Sequence, residues 1–187
     1  MRKKPEPQAR VFSEIAPLQE VLVWGEPGIE ALLGQLLPKS KSLFFSYYEV
    51  SKAREEFRGL QNLIEKEGVT VVRAKDAAAR LLESHLFPSH PDSIKELRSR
   101  LMQRAAEYYE MYKLVKSEEL VRAGIDLSFD QIYLQTKKDI DQILEEDIEA
   151  FGETATIRIN YVLSLAKELP LANIFYGRDQ SQTLADK

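Results

Sequence analysis

Leu18-Gln19-Glu20-Val21-Leu22-Val23-Trp24 ends in an unbroken apolar run of strand-favouring residues, and Gly25 and Pro27 close it. Such a run reads as a buried strand. Further along, Val69-Thr70-Val71-Val72-Arg73 reads as a second strand of the same kind. Between them lie two helical stretches. Gly28 to Leu37 is short and apolar, and Pro38 stops it. In Val50 to Lys66 the apolar positions Val50, Ala53, Phe57, Leu60, Leu63 and Ile64 recur at three- and four-residue steps, the spacing of a helix face lying on a sheet, and Gly68 supplies its C-cap. Parallel neighbours cannot be joined by a tight hairpin, so strand, helical connection and strand predict a parallel pair with a right-handed crossover. The fold class is α/β.

Working outward, residues 1–10 are charged and proline-containing and read as a flexible lead-in, and residues 11–75 hold the strand–helix–strand module. From Asp76 to Leu169 the chain turns rich in Glu, Lys, Arg, Leu, Ala and Ile, which makes residues 76–169 a helical insert. Ser93 with Glu96, and Ser128 with Gln131, have the capping-box spacing and place two helix starts. The first helix carries the stripe Ile94, Leu97, Leu101, Ala105, Tyr108, Met111, Tyr112 and Val115; the second carries Phe129, Ile132, Tyr133, Ile140, Ile143, Leu144 and Phe151. Thr156 to Leu169 supplies a third, with Ile157, Tyr161, Val162 and Leu165 facing inward. Three such stripes pack most simply on one another as a small bundle. Pro170 ends the insert, and residues 170–187 bring a short strand, Leu171 to Tyr176, and the polar turn Gly177-Arg178-Asp179.

The composition excludes several function classes. A chain of 187 residues, 44% hydrophobic, is long enough to bury a core. Its 26 basic and 30 acidic residues are well mixed, with no basic block to follow a phosphate backbone, so no nucleic-acid partner is expected. No apolar run approaches the ~18 to 20 residues that span a bilayer, and the start leads into no signal region, so the expectation is a cytoplasmic protein with no membrane partner. Cysteine is absent, which removes disulfides, thiolate metal sites and thiol nucleophiles together. His85 and His90 flank a proline and have no fixed helical spacing or carboxylate partner; they read as a surface turn, and neither a metal nor another cofactor is expected.

Other side chains that could carry chemistry read as structural on type alone. The aromatics Phe44, Phe45, Tyr47 and Tyr48, and the set Tyr108, Tyr109 and Tyr112, read as core or interface packing. Glu145, Glu146 and Asp147 read as a solvated helix face. Asp179 follows a short strand by three residues, where sites gather in α/β folds, but on position alone Arg178 and Asp179 read first as a pair or a turn closure.

Two separated segments change that weighting. Phe12-Ser13-Glu14-Ile15-Ala16-Pro17-Leu18 through Trp24, followed by Ala53-Arg54-Glu55-Glu56-Phe57, Leu60 and Glu67-Gly68-Val69, resembles the opening strand, helix and second strand of arginine deiminases and amidinotransferases. Asn173-Ile174-Phe175-Tyr176-Gly177-Arg178-Asp179 is similar to that family's pattern of Asn, two residues, an aromatic, one residue and Arg-Asp. The resemblance implies the front portion of a pseudo-fivefold β/α propeller, with a helical-bundle insert as in arginine deiminases. By position it puts Asp179 on a substrate guanidinium, Tyr176 as an aromatic wall and Asn173 near the substrate's amino-acid end, so the implied ligand is a guanidino small molecule such as arginine.

The family's chemistry also needs a nucleophilic cysteine, a catalytic histidine and a second acid from later modules. The catalytic set is therefore incomplete here, and the isolated chain is expected to be inactive, with a complementary C-terminal half, a partner chain or a homo-oligomer completing it. Two departures bear on the substrate. Leu43 to Glu49 lacks the aspartates of the deiminases' covering loop, and Gly177 stands where Thr or Met is usual. A different guanidino compound, or a family member that no longer catalyses, would both accommodate them. The competing reading is a non-catalytic binding or assembly module built on the helical bundle.

Overall fold

A computed structural model describes residues 17–42, 47–77, 93–152 and 154–165. Their elements are, in order, β1 (Glu20–Val23), α1 (Ile29–Gln35), α2 (Val50–Lys66), β2 (Thr70–Arg73), α3 (Ile94–Arg122), α4 (Phe129–Phe151) and α5 (Thr154–Leu165). The protein is helix-rich. Among the described residues the sheet has two strands, parallel as expected, with Glu20 beside Thr70 and Val23 beside Arg73. The strand expected at Leu171 to Tyr176 lies outside the described residues.

Local chemistry sets the helix ends. The Ser93 hydroxyl accepts from the Glu96 amide while the Glu96 carboxylate accepts from the Ser93 amide, and Ser128 and Gln131 repeat the exchange at the start of α4, so both capping boxes form. At the other ends of α2 and α3, Gly68 (φ +81°) and Gly124 (φ +67°) take the left-handed conformation. There the amides of Gly68 and Val69 return to the carbonyls of Glu65 and Ile64, and those of Gly124 and Ile125 to Val121 and Leu120, each in the Schellman pattern.

The core is a single cluster centred on α1. All seven residues of that helix are buried, and Ile29, Leu32, Leu33 and Leu36 pack with Leu97, Leu101 and Ala105 of α3, Phe129, Ile132, Ile140, Ile143 and Leu144 of α4, and Ile159 of α5. Helices α3 and α4 run antiparallel, since Arg98 meets Asp141 while Tyr109 meets Asp130. The core thus crosses residue 76, where the composition changes. A helix as short as α1 is not stable by itself, so its conformation comes from this enclosure.

Several expected faces turn out differently. Strand β1 is open on one side, with Leu22 70% exposed, because no described element lies over the face carrying Glu20 and Leu22. Helix α2 presents Val50, Ala53, Arg54, Phe57, Gln61 and Ile64 inward and leaves Leu60 and Leu63 exposed. Helix α3 keeps its stripe buried through Ala105, but Ile94, Met111 and Val115 are exposed, and Lys116 and Leu120 take the inner positions of its last turns. Helix α5 begins two residues early and buries Ala155, Thr156 and Ile159, while Ile157 is only half-buried. The side chains of Tyr161, Val162 and Leu165 lie outside the description.

Candidate functional site

The chemistry-bearing side chains of the described residues converge at the C-terminal ends of the two parallel strands. From β1 the chain passes through Trp24 and Gly25 to Glu26, Pro27 and Gly28, and then into α1; from β2 it passes to Lys75 and Asp76. Between these loops, α2, the end of α4 and α5 lies a small cleft of about 30 Å³, lined by Glu26, Glu30, Arg54, Arg73, Lys75, Asp147, Phe151 and Arg158. That volume holds about two waters.

Arg54 is the hub. Its side chain is 5% exposed, and it donates from Nη2 to Asp147 at 2.9 Å and from Nη1 to the Pro27 carbonyl at 3.2 Å, while its Nε lies 3.2 Å from Glu146 and 3.5 Å from Glu26. One guanidinium thereby ties α2 to the β1–α1 loop and to α4. Arg58 adds a bond to Glu26 at 2.8 Å, and Arg73 donates to Gln61 while standing 3.6 Å from Glu26. On the other wall the buried Glu30 accepts from the Trp24 indole at 3.1 Å and from Lys75, which also donates to the Glu26 carbonyl. Arg158 pairs with Asp76 at 2.7 Å and lies 3.6 Å above the Phe151 ring.

Charge is compensated throughout. The cations Arg54, Arg58, Arg73, Lys75 and Arg158 face the carboxylates Glu26, Glu30, Asp76, Glu146 and Asp147, and each is engaged. At Glu26 burial pushes the carboxyl's pKa up, but the bond from Arg58 and the charges of Arg54, Arg58 and Arg73 outweigh it and hold the group below its ordinary value. An arrangement so neutralised holds loops and helices together; it presents no spare charge to a ligand.

A second, larger space of about 470 Å³ lies between residues 47–51 and α4, lined by Tyr47, Glu49, Ser51, Gln131, Gln135, Asp139 and Gln142. Its volume suits a small ligand. Burial raises the Asp139 pKa despite the bond from Gln135, and the phenol of Tyr47 is likewise raised, first by burial and then by Asp139 and Glu49.

Asn173, Tyr176 and Asp179, the substrate-binding residues that the motif implies, lie outside the described residues, as do His85, His90, Phe44 and Phe45. Tyr47 and Tyr48 pack on the core, and Tyr109 stacks on Tyr133 at 4.2 Å and on Phe129 at 5.4 Å, as packing aromatics should. Glu146 and Asp147 differ from their reading as a solvated face, because the buried Arg54 reaches them from α2. The signal for this cluster was present: an arginine on the inward stripe of α2, and charged residues just past the end of each strand.

The fold and the cleft together define a helix-rich α/β protein, with a charge-compensated junction where a parallel strand pair meets a helical bundle. Compared with known protein families, curated proteins and solved structures, the chain matches none. Among the described residues no helix is long and apolar enough to cross a membrane, and no group of three or more His, Cys, Asp or Glu side chains is placed to hold a metal ion.

Proposed function

We propose that this chain is the N-terminal portion of an arginine deiminase-like or amidinotransferase-like protein acting on a guanidino compound. In this reading β1, α2 and β2 belong to the first blade of a β/α propeller, α3 to α5 form its helical insert, and Asp179, Tyr176 and Asn173 contribute to the substrate site. The observation that carries it is the parallel strand pair with its open face. Parallel sheets are covered on both sides and seldom stop at two strands, yet Leu22 on β1 and Leu18 just before it are exposed, as in a blade awaiting its neighbours. A carboxylate and an aromatic wall are a sound pair for a planar cation. The thiolate and the proton-transferring histidine would come from later modules or a partner chain.

The test is to isolate the protein from its native host, determine the mass of every tightly held polypeptide, and assay the preparation for consumption of arginine and other guanidino compounds. The expected result is a longer chain, or a cysteine-bearing companion, whose turnover is lost in Asp179→Asn. A lone 187-residue chain with no turnover overturns the proposal. That outcome would support a second reading, a non-catalytic assembly module, which the full charge compensation of the strand-end cleft already favours.

A further inference from the structure

Helix α3 buries one side against α1 and α4, and its last turns leave an apolar patch on the opposite side. Met111 is 65% exposed, Leu114 81% and Val115 51%. At about 100° per residue these three share one face with Glu107, a turn before them, and Arg122, two turns after. Read along the helix, the face runs from Glu107 through the apolar residues and Glu118 to Arg122. Its acidic and basic ends are complementary when reversed, which is what an isologous contact between two copies about a twofold axis requires.

We propose that this face of α3 docks against the same face of a second copy of this chain, the helices antiparallel. The register follows from the ends. If Glu107 meets the second copy's Arg122, the axis passes midway between those positions, between Leu114 and Val115. Leu114 and Val115 then meet their own counterparts at the centre, and Glu118 falls opposite Met111, covering it with its methylenes. A parallel arrangement would set Glu107 against Glu107 and Glu118 against Glu118, so charge selects the antiparallel one.

The present partners of the end charges do not oppose this. Arg104 lies 3.5 Å from Glu107 and Glu118 lies 3.2 Å from Arg122, both as exposed pairs within one helix, and such pairs can extend into a network across the contact. The face is about 22 Å long, and two helices of that length bury less than the roughly 800 Å² per partner of a standard interface. The dimer is therefore weak and concentration-dependent. The inference does not depend on the guanidino reading, since it uses no residue of that site.

Sedimentation of the full chain over a wide concentration range tests it. A reversible monomer–dimer equilibrium is expected. Leu114→Lys should leave a monomer at every concentration with an unchanged circular dichroism spectrum and thermal midpoint, because the side chain is exposed. Glu107→Arg should weaken the dimer about tenfold by facing arginine with arginine, and adding Arg122→Glu should restore it. A chain that stays monomeric throughout, a dimer indifferent to Leu114→Lys, or a charge swap that fails to restore association overturns the proposal.

Discussion

At Glu26 two effects of opposite sign meet. Burial favours the neutral acid, and three arginines favour the carboxylate; the arginines prevail, so the folded pKa lies below the ordinary value. A carboxyl depressed on folding contributes stability that is fully present above its unfolded pKa and is lost as pH falls through its folded one. The native state should therefore lose stability in the acid range below about pH 4.5, and Glu26→Gln should flatten that part of the curve. Urea unfolding at a series of pH values measures it; an unchanged acid slope in the variant would remove Glu26 from the account. Lys116 shows the opposite balance. Its head donates to the Leu37 carbonyl at 2.8 Å and lies 4.0 Å from Glu119, but burial, the largest influence, lowers its pKa, and Lys39 adds to that. The sequence signals that Arg54 turns inward and that Glu26 follows a strand, but not which groups they meet, because the partners of Arg54 and Lys116 come from distant parts of the chain, and periodicity carries no information about what lies opposite a helix face.

Helix boundaries were more legible than helix faces, for a physical reason. A capping box or a Schellman glycine is a contract among residues three to five apart, so Ser93, Ser128, Gly68 and Gly124 announce their ends locally. Which apolar positions turn inward depends on neighbours. Leu60 and Leu63, beside the buried stripe of α2, and Met111 and Val115, which the spacing groups with that of α3 but which turn away from α1 and α4, are exposed because the apolar stripes are wider than the surfaces that meet them. The two caps also differ in what supports them. Phe129, which follows Ser128, is buried in the core, whereas Ile94, which follows Ser93, is 47% exposed. Each cap contributes about 1 kcal/mol to its helix. Ser128→Ala should therefore lower global stability by about that amount, while Ser93→Ala should mainly fray the first turn of α3. Chemical denaturation with hydrogen exchange on the two variants separates the effects, and equal global losses would contradict the argument.

At the scale of the whole molecule, the sequence divides into a strand–helix–strand opening and a helical remainder, yet α1, from the opening, is the centre of the shared core. Its place there depends on enclosure by α3, α4 and α5, which no local pattern reveals. The rest of the opening is attached differently. Strands β1 and β2 are half-open, α2 leaves much of its surface to solvent, and ion pairs link them to the bundle: Arg54 with Glu146 and Asp147, Lys75 with Glu30, and Asp76 with Arg158. Such an arrangement should open in two steps. Amides of α1 and of the buried turns of α4 should exchange only through global unfolding, and those of α2 and the strand pair through a cheaper, separate opening. Removing one partner of a buried ion pair costs about 3 to 5 kcal/mol, because the other charges are left without compensation. Arg54→Ala should therefore speed exchange in α2, β1 and β2 by on the order of a hundredfold or more, with a smaller effect on α1. If α1 and α2 instead exchange with one common free energy, in the native protein and the variant alike, the strand pair and the bundle form one cooperative unit, and the ion cluster is a detail of its surface rather than the joint between its parts.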